Sequence, residues 1–140
     1  MTSPQFDWKA LSPMKREELL HALAAWVDWL QQTYETWVKL PPCWPEHEAL
    51  RAELMFFKVM HEEAMHSQGG YEGVNWHAMM RNAAQQWEQL ASCKHEVRAW
   101  RTGRGADYDQ RLKQHLKQAI EASVKAGPGP APAIRRPHQY

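Results

Sequence analysis

Three prolines within six residues, Leu40-Pro41-Pro42-Cys43-Trp44-Pro45, interrupt the first half of the chain. Each proline fixes its own φ, removes a backbone donor and pushes the residue before it out of the helical region. The segment must therefore be an extended, stiff turn, and the regular structure on its two sides must be separate. On its N-terminal side Leu19, Leu20, Leu23, Trp26, Val27, Leu30, Tyr34, Trp37 and Val38 recur in steps of three and four. That periodicity predicts a helix with one apolar stripe running to about Lys39. Ser12-Pro13 marks its start, a capping hydroxyl followed by proline at the first helical position, with Glu17 and Glu18 close behind.

Beyond the turn, Pro45, Glu46 and Glu48 suit the beginning of a second helix, whose apolar row is Leu50, Leu54, Phe57 and His61. Gly69-Gly70 ends it, and Gly73 keeps the loop open. Asn75 is a cap for a third helix carrying Trp76, Met80, Ala83, Trp87 and Leu90. Asp107 begins a fourth, read as strongly basic, with Tyr108, Leu112, Leu116, Ile120 and Val124 on one side. Composition agrees: eight Trp and seven Met supply much of the apolar volume, whereas isoleucine occurs only at Ile120 and Ile134. Few β-branched residues favour helices over strands.

The expected architecture is thus all-α, a three- to four-helix bundle with a disordered, basic, Pro/Gly-rich C-terminal tail. It divides into an N-terminal arm (1–11), the bundle (12–102), a basic amphipathic helix (103–126) and the tail (127–140), where GPGPAPAIRRPHQY cannot pack a core. A chain of 140 residues is long enough to bury a real core as one domain. No run of about 18 apolar residues predicts a membrane span. The opening residues lack the apolar centre of a secretory signal, so the expected location is cytoplasmic.

Charge is divided along the chain. Residues 1–93 hold 7 Lys+Arg against 12 Asp+Glu, a formal −5, and residues 94–140 hold 10 against 4, a formal +6. An acidic body with a basic arm points to a phosphate backbone, an anionic membrane or an acidic protein as partner. The membrane ranks lowest, since the basic helix has a small apolar face with Tyr108 as its one aromatic residue. The nucleic-acid-binding candidates are Arg98, Trp100, Arg101 and Arg104, then Arg111, Lys113 and Lys117, then Arg135 and Arg136. Together they would neutralise several phosphates and give a salt-sensitive, sequence-blind affinity. Trp100, flanked by arginines, is the best stacking candidate. Trp26, Trp37, Trp76 and Trp87 lie on apolar stripes and are expected in the core.

Several catalytic classes fall away. His61 and His66 superficially resemble a zinc-protease pair, but a spacing of five residues puts them about 140° apart around a helix. Glu62 and His66 share a face and read as a surface pair. Glycine-rich phosphate loops, GxSxG and metal-spaced carboxylate arrays are absent. The expectation is a non-enzyme with no cofactor. One metal alternative is a structural zinc held by Cys43, His47, Cys93 and His95, which would staple the proline turn to the end of the third helix. Reduced thiols or a Cys43–Cys93 disulfide are the other readings of the two cysteines.

Trp26-Val27-Asp28-Trp29-Leu30 with Tyr34, Leu40-Pro41-Pro42-Cys43-Trp44-Pro45-Glu46-His47-Glu48-Ala49-Leu50 with Glu53-Leu54, Trp76-His77, Trp87, and Cys93 with His95 form an ordered set. In these features the chain resembles a family of small helical proteins of unknown function encoded on actinobacterial plasmids, integrative conjugative elements and prophages. The likeness covers about residues 19–100 and implies a mobile-element setting but no activity. The resulting expectation is an interaction module of a bacterial mobile genetic element, with nucleic acid or a nucleoprotein complex as its partner. It could be a small subunit or inhibitor of an RNA-guided or conjugative complex. An acidic protein partner is the alternative, and the many tryptophans leave room for a homo-oligomer.

Overall fold

A computed structural model of the chain describes residues 8–91 and 106–125. Five helices follow in order: α1 (Pro13–Thr33), α2 (Glu48–Met65), α3 (Tyr71–Ala84), α4 (Trp87–Ala91) and α5 (Ala106–Lys125). Single 3-10 turns occupy Trp8–Ala10 and Trp44–Glu46, and the described residues contain no strand. The all-helical class is as expected.

The start of α1 follows from its cap. Ser12 Oγ accepts the Lys15 N–H at 3.2 Å, with Pro13 in the first turn. Its end differs from the predicted Lys39: the helix stops at Thr33, and the N–H groups of Trp37 and Val38 turn back to the Tyr34 carbonyl. Apolar spacing continued past this point because Val38 and Leu40 are core residues contributed by extended chain, each 1% exposed. The extended path has its own polar accounting. Leu40 N–H donates to Gln31 Oε1 at 3.1 Å, and the Tyr108 hydroxyl of α5 donates to the Leu40 carbonyl at 2.7 Å. Gln31 Nε2 in turn donates to the Tyr108 oxygen at 3.1 Å. A glutamine and a tyrosine thus satisfy the backbone just ahead of two prolines that can donate nothing.

The core joins Leu23, Val27 and Leu30 of α1 to Leu50, Leu54 and Phe57 of α2, Trp76 and Met80 of α3, and Trp87 of α4. Trp44, from the proline turn, is wholly buried among them. Two indoles are anchored as well as packed. Trp76 Nε1 donates to the Phe57 carbonyl at 3.0 Å, and Trp87 Nε1 donates to Glu53 Oε2 at 2.7 Å. A buried indole that finds an acceptor keeps its large apolar burial without an orphaned donor.

Two further boundaries differ from the sequence expectation. Helix α3 begins at Tyr71 with Gly70 at its cap position, so Gly73 and Asn75 lie inside it. A Cβ at Gly73 would meet nothing within 4 Å, so this glycine is a helix residue and no breaker. The expected third helix is also two helices, separated at Gln85-Gln86, where the Gln86 N–H turns to the Ala83 carbonyl at 2.8 Å.

Helix α5 packs on α1 and on the 3-10 turn at Trp44–Glu46. It is therefore seated on the body, not loosely tethered. Nor is it strongly basic: Arg111, Lys113, Lys117 and Lys125 face Asp107, Asp109 and Glu121 in sequence, leaving +1. The cationic excess belongs to Lys94, Arg98, Arg101 and Arg104 before it and Arg135-Arg136 after it. Those stretches, with Cys93, His95, Trp100 and the tail at 127–140, lie outside the described residues. No described helix is long and apolar enough to cross a membrane.

Candidate interaction surfaces

The seat of α5 decides which of its cations can meet a partner. Its inward side uses Tyr108 at the Gln31–Leu40 corner, His115 Nδ1 against Glu46 Oε2, and the Ser123 carbonyl, which accepts from Arg16 Nη1 at 2.9 Å. None of these contacts uses a lysine. Lys113 and Lys117 are exposed on the other side. Arg111 is different, because its Nε pairs with Asp107 Oδ2 at 3.1 Å one helical turn back. Of the predicted phosphate contacts among the described residues, two lysines face solvent and the arginine is engaged within its own helix.

A second surface was missed by sequence reasoning. Trp37, expected in the core, is 45% exposed, and Trp29 on α1 is 38% exposed. Because α1 ends at Thr33, Trp37 leaves the apolar stripe and stacks on Tyr34, with ring centroids 5.9 Å apart and planes 20° apart. Arg81 of α3 lies over the outer ring, its guanidinium carbon 5.2 Å from the Trp37 centroid. Thr36, Trp37, Met79, Arg81, Asn82 and Gln85 border a shallow groove of about 800 Å³ together with Ala78. The signal available in the sequence was the proline pair: an approach to Pro41-Pro42 must leave the helix early, and Trp37 leaves with it.

The same face continues inward as rings packed edge-on or tilted. Trp29 meets Tyr34 edge-on at 5.8 Å, and His61 of α2 lies 5.0 Å from Trp29 and 4.7 Å from Trp76. Tyr34 Oη and His77 Nε2 share a hydrogen bond of 2.5 Å. Burial among these rings pushes the His61 imidazolium down from its ordinary pKa; Glu62 opposes the shift and His77 reinforces it. Burial likewise pushes the Tyr34 phenol up. His66 takes no part, bonding through Nδ1 to the Glu62 carbonyl, while the Glu62 carboxylate pairs with Lys58 at 2.9 Å. The expected Glu62–His66 side-chain pair is replaced by these two contacts.

Half of the zinc candidate is also in view. Cys43 Sγ and His47 Nε2 are 3.4 Å apart at the proline turn, and Cys43 is fully buried. Two ligand-type atoms converge there, but among the described residues no group of three or more His, Cys, Asp or Glu is placed to hold a metal.

Comparison with protein-family models, curated proteins and solved structures finds no match for this chain.

Proposed function

We propose that the chain is a non-enzymatic interaction module that holds a nucleic acid or nucleoprotein by its phosphates, through a cationic stretch leading from residue 94 into α5. The observation that carries this reading is the way α5 is seated: tyrosine, histidine and a backbone carbonyl make the inward contacts, and Lys113 and Lys117 stay outward. Folding has left the lysines available while the acidic body lies behind them. Lys94, Arg98, Arg101 and Arg104 precede these lysines in sequence and extend the charge. Contacts of this type fix position without reading bases. The setting we infer, from the residues around Pro41-Pro42-Cys43-Trp44, is a complex of a bacterial mobile element.

Removing α5 is no clean test, because Tyr108 and Ser123 belong to the packing of α1. Charge reversal at Lys113 and Lys117, combined with Arg98→Ala, Arg101→Ala and Arg104→Ala, keeps the seat intact. Wild type is expected to bind single- or double-stranded oligonucleotides at low salt, with log K falling linearly in log salt. The fivefold variant should lose most of that slope. If wild type ignores both probes at low salt, this function is wrong.

A protein partner is the second reading, favoured by the half-exposed Trp37 under Arg81, since tryptophan and arginine dominate the energetics of protein contacts. Trp37→Ala would then abolish partner capture and leave oligonucleotide binding unchanged.

A further inference from the structure

We infer that the pocket enclosed by the N-terminal turn, α2 and α5 is a binding site for a small anionic molecule, one that presents a carboxylate or a phosphate. Its volume is about 640 Å³, and Trp8, Lys9, Arg16, Arg51, Gln118 and Ser123 are among its walls. That size falls within the usual range for small-molecule pockets.

The charged groups around it are in different states, and the difference selects the ligand. Arg16 is buried and already gives its Nε, Nη1 and Nη2 protons to the carbonyls of Trp8, Ser123 and Lys9. Glu46 is held by His115, and Gln118, with its amide nitrogen turned toward Glu46, reaches both carboxylate oxygens at 3.0 and 3.2 Å. Both residues are therefore structural parts of the wall. Arg51 is not so occupied. One of its N–H groups donates to the Pro45 carbonyl at 2.9 Å, and its guanidinium lies 5.1 Å from the centre of the Trp8 ring. Among the described residues no carboxylate comes within ion-pair distance of it, and its burial outweighs the field of Glu48 in lowering its pKa.

Ser123 supplies the second observation. The residue is 7% exposed, lines the same pocket, and its Oγ has no hydrogen-bond partner among the described residues. A helical serine commonly returns its proton to the carbonyl one turn back, so an unused buried hydroxyl needs another acceptor. A guanidinium with unused donors, a hydroxyl with nothing to donate to and a lysine at the rim form a set of donors that neither carboxylate of the wall, Glu46 held by His115 or the exposed Glu48, accepts from among the described residues, so an outside acceptor is called for. An anion is that acceptor. The Trp8 ring offers a flat apolar wall to the remainder of such a molecule.

The test uses the full chain, with inorganic phosphate and succinate as separate probes and sodium chloride at matched ionic strength as the reference. Thermal unfolding and the indole N–H resonance of Trp8 report binding, the latter assigned with Trp8→Phe. At least one probe is expected to raise the midpoint saturably and to shift the Trp8 resonance, and whichever does so identifies the anion class. Arg51→Gln should weaken that binding about tenfold or more, and Ser123→Ala about threefold, as lost charge-assisted and neutral hydrogen bonds would. The proposal is overturned if neither probe exceeds chloride, or if the affinity is unchanged in Arg51→Gln. Should Arg51→Gln fail to fold, an unchanged affinity in Ser123→Ala overturns it equally.

Discussion

The corner around Leu40–Trp44 and the face around Trp29–Trp37 are both rich in aromatic residues and only a few residues apart in sequence, yet they are built oppositely. At the corner Trp44 and Tyr108 are buried, and the backbone ahead of the prolines is bonded to Gln31 and Tyr108. On the face, Trp29 and Trp37 stand partly in water, with a histidine, a tyrosine and an arginine packed around them. The difference separates two uses of the same side chains. Aromatic surface that is withdrawn from water and packed supports the fold, at Trp44 even with the indole N–H unpartnered among the described residues, whereas aromatic surface left half out is available to a partner.

The sharpest way to break this contrast is a pair of truncations followed by urea denaturation. Trp44→Ala should cost about 3–5 kcal/mol, the range for removing a fully buried large ring. Trp37→Ala should cost no more than about 1 kcal/mol, chiefly its contact with Arg81. Equal losses would erase the distinction. A finer comparison removes single hydroxyls. Tyr108→Phe leaves the buried Leu40 carbonyl without that donor and is expected to lose about 1–3 kcal/mol. For Tyr34→Phe the expected loss is about 0.5–1 kcal/mol, because His77 is exposed and water can replace the phenol.

The smallest effect concerns acid. His61 has a folded-state pKa below its ordinary 6.5, so the unfolded chain takes up the proton first as pH falls. This group's contribution is complete above about pH 6.5 and is lost as pH drops from there toward the lowered folded value. Wild type should consequently lose more stability between pH 7.5 and 5.5 than His61→Gln, measured as the shift in denaturation midpoint. An identical pH response in both chains would mean that the ring cluster does not hold His61 neutral.

Local signals with a short reach were legible in the sequence. Ser12-Pro13 capped α1 as its chemistry dictates, and Leu50, Leu54 and Trp76 were read correctly as core. The end of α1 was not legible, because Val38 and Leu40 preserve apolar spacing while their backbone is extended, and the bonds that permit this come from Gln31 and from Tyr108, 68 residues beyond Leu40. That error carried Trp37 into the expected core. Asn75 misled for a related reason: a good capping residue is only a cap if the helix starts there, and Gly70 had already begun it at Tyr71. The seat of α5 was hidden by treating charge as a block property, when the helix itself nets only +1 and docks through uncharged or paired groups. The donor set around Arg51 and Ser123 was beyond reach, since it assembles residues from three distant stretches.

Arg16 binds the carbonyl of Ser123, 107 residues later, along with those of Trp8 and Lys9. During synthesis its guanidinium must wait for that carbonyl until residue 123 has left the ribosome. The first helix can coil early, but its native burial is completed only after α5 has emerged. A premature stop codon before α5 would therefore yield a chain with a cation at a site designed to be dry.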